Sequence, residues 1–385
     1  MINFLASIQN NIRAHNEDCI GNEDCFAEDR MRIISSNAFK RLEAKTQVFP
    51  SYHGDHYKKR LTHSLEVAEI AKSITKKLGL NQDLAEVIAL SHDLGHPPFG
   101  HVGEDVLNKI MQNFQSDYKH NTFSFKIVTK IENICNNYDG LNLTIDVLDG
   151  ILKHNGPINN PCKYITHYNE SLPRELQFNL SKFSSLEAQI AGIADDIAYN
   201  NHDIEDGIRA DILSIDEVSK LPIFGEFMLE IKEKYSFLEY GIMAKEAKYK
   251  SINLMKQDIV NQTMKNIQKL NIKNHEDVFN SKIQIVDFSP KINDDINIIR
   301  KFLYHNLYQS KKLIKSRQKA NIVITKIFEA IYTNTHLMPQ LWQTEYENCN
   351  SIQESSQIMC DYIAGMTDTF ASSLAKQYSS KKLII

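Results

Sequence analysis

The sequence of 385 residues lacks the features that mark secreted and membrane proteins. Its six cysteines include no Cys-x-x-Cys pair, which in a chain of this size predicts reduced thiols rather than a disulfide framework. No uninterrupted apolar run approaches the length of a membrane span, and residues 1–16 show no signal-peptide pattern. We therefore expect a cytoplasmic protein with no membrane partner.

The chain also lacks a strong charge of either sign, since its formal net charge is −4. A balance this close to neutral gives no electrostatic argument, for the molecule as a whole, that a nucleic acid or a membrane is the main partner. One local exception is a basic segment from Tyr308 to Lys319, with Lys311, Lys312, Lys315, Arg317 and Lys319. Its ordinary interpretation is a solvated helix face, and the alternative is a patch that binds a triphosphate or a nucleic acid.

Strand patterns are rare as well, and one short example covers Ile283 to Val286. Elsewhere apolar residues recur at helical spacing, for example over residues 62–78. Ser184 followed by Glu187 predicts a capping box at the start of a further helix. We predict an all-α fold, divided into an N-terminal arm at residues 1–29, a core at residues 30–210 and a helical C-terminal region at residues 211–385.

What the chain does have is a dense run of reactive side chains between Ser91 and Glu104. The apolar residues 83–91 predict a buried helix, which the glycine and the two prolines that follow must end. His92 and Asp93 then lie at its last turn, where an imidazole and a carboxylate held side by side can bind a divalent metal. Such a pair needs further ligands from elsewhere in the chain.

Two other predicted helices offer those ligands. His63 lies in the first turn of the helix over residues 62–78, with Thr62 as a candidate N-cap, and Asp195 lies in the helix that begins after Ser184. A structural histidine and a salt-bridged aspartate are their ordinary interpretations. Taken with His92 and Asp93, however, they make two imidazoles and two carboxylates. Such a set leaves coordination positions open for water and substrate, as in a catalytic metal site.

The order of these residues resembles the H…HD…D signature of HD-domain metal phosphohydrolases. Longer blocks are similar to the deoxyguanosine triphosphate triphosphohydrolase family, and together they extend from about Glu28 to Ala371. The blocks are Arg32 to Val48, Arg60 to Val67, His92 to Glu104, Gly140 to Thr144, Lys153 to Pro157, Ala194 to Asp203 and Asp361 to Asp368. A bare His-Asp pair is unspecific, whereas these blocks in this order are specific to one family.

The resemblance implies an HD-type helical catalytic core with a helical C-terminal extension, and it implies roles for residues at matching positions. Gln47 and Asp203 match residues that contact the sugar 3′-hydroxyl, Arg60 matches an arginine that contacts phosphate, and Tyr199 matches the tyrosine under the deoxyribose. The other implied roles are metal binding by His63, His92, Asp93 and Asp195, and catalysis by His101, Glu104 and His120.

The activity implied by the resemblance is the hydrolysis of dGTP or several dNTPs at the α-phosphorus, which releases a deoxynucleoside and tripolyphosphate. The divalent metal would be Mn²⁺, Mg²⁺ or Co²⁺, all compatible with nitrogen and oxygen ligands. Histidine can transfer a proton near neutral pH, and Glu104, three residues after His101, can orient it. The resemblance also implies a homo-oligomer, and an allosteric dNTP and single-stranded DNA are further candidate partners.

The chain departs from the family pattern at Lys119, Phe123 and Thr369, where relatives often carry an acid, a glutamine and an arginine. These departures bear on base preference and regulation rather than on the metal ligands. Two alternatives stay open: an HD phosphatase that acts on nucleoside monophosphates, and a regulator that binds nucleotides or single-stranded DNA. Arg60, His101 and His120 favour a longer phosphate tail than a monophosphate has, whereas the basic segment supports the regulator.

Overall fold

The computed structural model describes residues 2–8, 11–17, 24–49, 57–235 and 239–380, without the side chains of residues 379 and 380. Over these residues the secondary structure is helical, with no β-strand and two isolated bridges, Arg13–Thr144 and Thr46–Lys59. The prediction of an all-α fold is therefore confirmed. In the same part of the chain, no helix is both long enough and apolar enough to cross a membrane.

Eighteen α-helices occupy most of the described residues, with short 3₁₀ and π-helical turns between some of them. In chain order, α1 to α18 are Cys25–Ser35, Asn37–Arg41, Arg60–Leu78, Gln82–Ser91, His101–Gln112, His120–Lys126, Ile145–Leu152, Lys163–Ser171, Leu186–Arg209, Ile215–Val218, Phe224–Lys234, Tyr240–Leu270, His275–Phe279, Pro290–Leu303, Lys311–Thr333, Gln340–Glu347, Ile352–Ala364 and Asp368–Ser380. Helix α3 begins at Arg60, so the prediction that Thr62 caps it is wrong. Thr62 instead lies inside the first turn, where its hydroxyl donates to the carbonyl of Lys59.

The helices form two compact units, each built from segments that are not consecutive in the chain. The first unit comprises Met1–Ile33, His63–His92 and Leu141–Ser310, and the second comprises Ile34–Thr62, Asp93–Gly140 and Lys311–Ile385. The chain thus leaves the first unit between His92 and Asp93, in the middle of the His-Asp pair. The division into three consecutive regions stays a prediction.

Helix α9 is central to the first unit, where it packs against α4 and α12. Its N-cap is Ser185, whose side chain accepts from the N–H of Ala188, so the predicted capping box between Ser184 and Glu187 is wrong. The buried Glu187 carboxylate accepts instead from the backbone N–H groups of Ser7 and Asn81, at 2.9 and 3.1 Å. Because Ser7 and Asn81 are distant in sequence, no local pattern could indicate this use of the side chain.

The N-terminal segment packs closely against the first unit in the residues described. Ile2 and Leu5 are buried, and the backbone N–H of Ile2 donates to the carbonyl of Leu78. Arg13 is buried as well, and its guanidinium donates to the carboxylate of Asp29 at 2.5 Å. A buried ion pair of this kind holds residues 11–17 against α1.

Residues 283–286 form no strand, although their sequence has a strand pattern. The backbone N–H groups of Ile285 and Val286 both donate to the side-chain oxygen of Gln189 in α9. Both apolar side chains are buried. The side-chain oxygen of one glutamine therefore accepts two backbone hydrogen bonds that the carbonyl groups of a neighbouring strand would otherwise accept.

The second unit is organised around α15, which packs against α5, α17 and α18. Gly103 allows both the preceding loop and α15 to lie close to α5. A Cβ at this position would lie 2.0 Å from the carbonyl oxygen of Pro98 and 3.2 Å from the side chain of Ile324 in α15. Only a glycine fits this position. The loop that precedes α5 is consequently in close contact with the first turn of α5, which carries His101 and Glu104.

Candidate functional site

The first unit contains a candidate metal site made of His63, His92 and Asp195. These residues come from α3, from the end of α4 and from α9, and one ligand atom of each lies within 4.8 Å of the others. His63 Nε2 is 2.9 Å from Asp195 Oδ1, and His92 Nε2 is 3.7 Å from the same oxygen. Three of the four predicted metal ligands are thus brought together by helices that are far apart in sequence.

Both imidazoles are oriented by a neighbour at the nitrogen that does not face Asp195. His92 Nδ1 lies 2.6 Å from the carbonyl oxygen of Ala89, which can only accept, so Nδ1 donates there and Nε2 is the nitrogen turned towards Asp195. His63 Nδ1 lies 2.9 Å from His202 Nε2. Outer partners of this kind orient histidine ligands in metal sites. The donor set and its orientation therefore fit a divalent metal.

The charge of Asp195 suits the same role. Burial alone would raise its pKa, but the neighbouring His92, His154 and His63 hold the pKa of this carboxyl well below its usual range. His154 Nε2 is 3.6 Å from Asp195 Oδ2, and the His154 ring stacks on His92 with centroids 5.1 Å apart. No role was predicted for His154, although it lies in the block Lys153 to Pro157 that resembles the family.

Helix α9 also presents Tyr199 and Asp203, which follow Asp195 by one and two helical turns. The hydroxyl of Tyr308 donates to Asp203, and burial raises the pKa of Tyr308 well above its ordinary value. The guanidinium of Arg300 lies over the Tyr199 ring, 5.8 Å from its centroid. Sequence reasoning missed Tyr308 and Arg300 because they lie about a hundred residues further along the chain, outside every recognised block.

The second unit holds its own cluster of His96, His101, Glu104 and His120, whose donor atoms also lie within 4.8 Å of one another. The Glu104 carboxylate accepts from the backbone N–H of His120 at 2.9 Å and lies 2.8 Å from His120 Nδ1 and 3.3 Å from His101 Nδ1. The three residues predicted to be catalytic therefore lie together. His96 joins them by stacking on His120, with ring centroids 3.8 Å apart, and was not singled out from the sequence.

The members of this cluster differ in charge and exposure. Burial alone would raise the pKa of Glu104, but hydrogen bonds from His101 and His120 hold it far below its ordinary value. Burial lowers the pKa of His96 well below its ordinary value, so this imidazole is neutral. The His101 side chain is 70% exposed and is the member most accessible to a ligand. An ionised carboxylate that orients an accessible imidazole is a suitable arrangement for proton transfer.

Arg60 and Asp93 form a buried pair in the second unit. Arg60 Nη1 donates to Asp93 Oδ2 at 2.7 Å, and the Arg60 side chain has no exposed surface. Its Nε and Nη2 atoms, and the buried Oε1 of Gln47, have no hydrogen-bond partner among the residues that the structure describes. The second oxygen of Asp93 lies 3.1 Å from His96 Nε2. The predicted roles of Asp93 as a metal ligand and of Arg60 and Gln47 in substrate binding stay predictions.

The three departures from the family pattern lie in different environments. Phe123 is buried and packs near the ring of Tyr118, with centroids 5.9 Å apart. Lys119 pairs with Asp117 on the surface, at 3.2 Å. Thr369 is exposed in the first turn of α18. None of the three contacts the carboxylate of Glu104 through a described hydrogen bond.

Comparison with known proteins places two family domains on the chain. The HD domain matches residues 60–200, and the phosphohydrolase-associated domain matches residues 286–377. A deoxyguanosinetriphosphate triphosphohydrolase-like protein of Rickettsia prowazekii (strain Madrid E) is 42% identical over 347 residues, which cover 90% of this chain and 89% of the relative. Similarly named proteins of Caulobacter sp. (strain K31) and Brucella ovis (strain ATCC 25840 / 63/290 / NCTC 10512) are each 40% identical. These matches cover 90% of this chain and 88% and 87% of the relatives.

Proposed function

The chain belongs to the deoxyguanosinetriphosphate triphosphohydrolase-like family of HD-domain hydrolases, and on that basis we propose that it hydrolyses dGTP or several dNTPs to a deoxynucleoside and tripolyphosphate. Water would attack the α-phosphorus, and the bond between that phosphorus and the 5′-oxygen would break. The proposal rests on the geometry of His63, His92 and Asp195. In both histidines a neighbour at Nδ1 orients the ring, so that Nε2 faces Asp195 as binding of a shared metal would require. A divalent ion held there supplies Lewis acidity towards a phosphoryl group.

The proton transfers are assigned to the cluster around Glu104. The departing 5′-oxygen needs a proton, and the exposed imidazole of His101 can supply it. Glu104 stays ionised, because its hydrogen bonds to His101 and His120 hold its pKa far below neutrality. It would therefore orient the two imidazoles rather than titrate itself.

The proposed substrate contacts rest on buried polar atoms that have no partner among the described residues, and on residues that match substrate-binding positions of the family. Arg60 carries two buried donor atoms without a partner among the described residues, which suits an anionic phosphate. Gln47 offers a buried acceptor oxygen for a hydroxyl group. Tyr199 and Asp203 would receive the deoxyribose, with Asp203 fixed by the hydroxyl of Tyr308.

Mn²⁺, Mg²⁺ and Co²⁺ all suit a site with two imidazoles and a carboxylate, and Asp93 would be the fourth protein ligand. We propose a cytoplasmic homo-oligomer, with an allosteric dNTP as a candidate partner. Single-stranded DNA is a further candidate partner, since Lys311, Lys312, Lys315 and Lys319 are exposed on α15.

The decisive test is product analysis by chromatography. The purified protein is incubated with Mn²⁺ and each dNTP, singly and as a mixture, beside an Asp195→Ala variant whose bound metal is also quantified. We expect a deoxynucleoside and tripolyphosphate from the wild type, and loss of both turnover and bound metal in the variant. Orthophosphate or pyrophosphate as the first product would contradict attack at the α-phosphorus. Turnover of monophosphates alone would support an HD phosphatase instead.

A further inference from the structure

The loop from His96 to Gly100, which leads into α5, is held at its first residue by a buried lysine. Lys45 Nζ donates to the carbonyl oxygen of His96 at 2.5 Å and to that of Ala364, at the end of α17, at 3.1 Å. The Lys45 side chain is buried. One side-chain nitrogen therefore connects the start of the loop to the end of α17 in the same unit.

The other end of the loop is held by Asp368, the first residue of α18. Asp368 Oδ1 accepts from the backbone N–H of Phe99 at 2.9 Å. Its Oδ2 accepts from the backbone N–H of Thr46 at 3.1 Å and also from the Thr46 hydroxyl. Asp368 is 4% exposed, so these protein donors take the place of water around its carboxylate. Asp368 is thus a buried acceptor that joins the loop to Thr46.

The backbone at Phe99 and Gly100 has an unfavourable conformation, which the hydrogen bond to Asp368 helps to stabilise. Phe99 has a φ of 67°, a left-handed conformation that costs energy for a residue with a side chain. Gly100 has a φ of 62°, and a Cβ at this position would lie 2.9 Å from Arg60 Nη2 and 3.2 Å from the carbonyl oxygen of Thr46. The turn is therefore strained and tightly enclosed, and the Phe99 N–H is fixed by a single carboxylate.

This turn decides where α5 begins. Gly100 is the N-cap of α5 and offers no side-chain cap, and His101 is the first residue of the helix. Glu104 lies in the same first turn, and its N–H donates to the carbonyl of Gly100. Any movement of the Phe99–Gly100 turn would consequently move His101 and Glu104 together.

We propose that Asp368 is a positioning residue for the hydrolytic reaction: by holding the Phe99–Gly100 turn, its carboxylate fixes the first turn of α5 and so the placement of His101 and Glu104. The inference rests on the proposed function, because it is this reaction that uses the two side chains. Asp368 itself contacts neither of them. It acts through the backbone between them.

The test compares Asp368→Asn with Asp139→Asn, which changes an exposed carboxylate in a loop of the same unit. Asparagine replaces one of the two carboxylate oxygens by an NH₂ group, which is a donor, so its side chain cannot accept both from Phe99 at the position of Oδ1 and from Thr46 at that of Oδ2. The first measurement is hydrogen–deuterium exchange of the peptide that covers residues 96–103. It compares the wild type and both variants under conditions in which the same fraction of each protein is folded. We expect faster uptake there in Asp368→Asn, with wild-type uptake in Asp139→Asn. Unchanged uptake at residues 96–103 would overturn the inference.

The second measurement separates positioning from a general loss of folding. We expect kcat for dNTP hydrolysis to fall about 100-fold in Asp368→Asn, since a displacement of about 1 Å can have this effect. KM and the affinity for Mn²⁺ should stay within about twofold of the wild-type values. A kcat that falls only in proportion to the folded fraction would contradict the proposal. Thr46→Ser, which keeps the hydroxyl, should retain kcat, whereas Thr46→Val should lose part of it.

The two proposals fail in different ways. If the wild type releases no tripolyphosphate from any dNTP, the proposed function is wrong whatever the exchange data show. If the wild type is active but Asp368→Asn keeps both its kcat and its exchange pattern, the positioning role is wrong and the function stands.

Discussion

His202 Nε2 lies 2.9 Å from Nδ1 of His63, the nitrogen that does not face Asp195. Both rings are buried and meet edge to face, with centroids 5.0 Å apart. His202 was not among the residues predicted from the sequence, although it lies in the block Ala194 to Asp203. Its position fixes the ring of a predicted metal ligand.

Replacement of His202 by Phe should therefore weaken metal binding without removing a ligand. Outer partners of metal-bound histidines typically contribute about 10- to 100-fold in affinity, and we expect a loss of this size for Mn²⁺. The measurement is isothermal titration calorimetry. The matched control is His167→Phe, which changes an exposed histidine in α8. Equal affinity of the two variants for Mn²⁺ would show that His202 does not orient His63.

Replacement of Glu104 by Gln should lower turnover more than substrate binding. The amide keeps the size of the side chain but removes the charge that accepts from His101 and His120. We expect kcat to fall by about 10²- to 10⁴-fold, the usual contribution of general acid–base catalysis, with KM changed little. Steady-state kinetics on dGTP checks this, with the exposed Glu329→Gln as the control. A variant with normal kcat and a raised KM would place Glu104 in substrate binding instead.

Glu104 should also make stability depend on pH in an acidic window. Its pKa is lower in the folded chain than in the unfolded chain, where a glutamate has a pKa of about 4.3. Its contribution is therefore fully present above that value and is lost as the pH falls below it towards the folded pKa. The difference in unfolding free energy between the wild type and Glu104→Gln should therefore shrink as the pH falls below about 4.3. Urea denaturation at each pH measures it, and a difference that does not shrink below about pH 4.3 would contradict the assignment.

Replacement of Arg13 by Ala should destabilise the fold strongly. Asp29 has no exposed side-chain surface, and Arg13 is its ion-pair partner at 2.5 Å. Loss of one partner of a buried pair leaves an uncompensated charge and typically costs about 3–5 kcal/mol. Asp29 also accepts from Thr144, which places the expectation near the lower end, at about 3 kcal/mol. Denaturant unfolding measures the change. Arg174→Ala, at an exposed position, should stay within about 0.5 kcal/mol of the wild type.

Much of the fold and of the candidate metal site could be predicted from the sequence. Helical spacing of apolar residues predicted the all-α fold. Helix α4 begins one residue before the predicted helix and ends at the predicted residue. His63, His92 and Asp195 were selected by residue type, by their place on predicted helices and by resemblance, and α3, α4 and α9 do bring them together. These features succeed because they depend on side-chain chemistry and on the 3.6-residue period, both of which are local.

Two expectations drawn from local patterns were wrong, because the side chain or backbone group finds its partner elsewhere in the chain. Glu187 has the right spacing for a capping box, yet its carboxylate accepts from Ser7, 180 residues away. The donors of Ile285 and Val286 suit a strand, yet one glutamine satisfies both. A buried polar group takes whichever partner the packing places beside it, and the local sequence does not contain that information.

The sequence by itself determined the helical class, the family and the residue types available for chemistry. Only the tertiary structure decided how those residues are held. His202 at His63, Tyr308 at Asp203 and Asp368 at Phe99 are contacts across 139, 105 and 269 residues. Hydrogen bonds between residues this far apart in sequence require the packed tertiary structure, which brings the two partners together. Orientation of the reactive groups is therefore a property of the folded chain rather than of any motif.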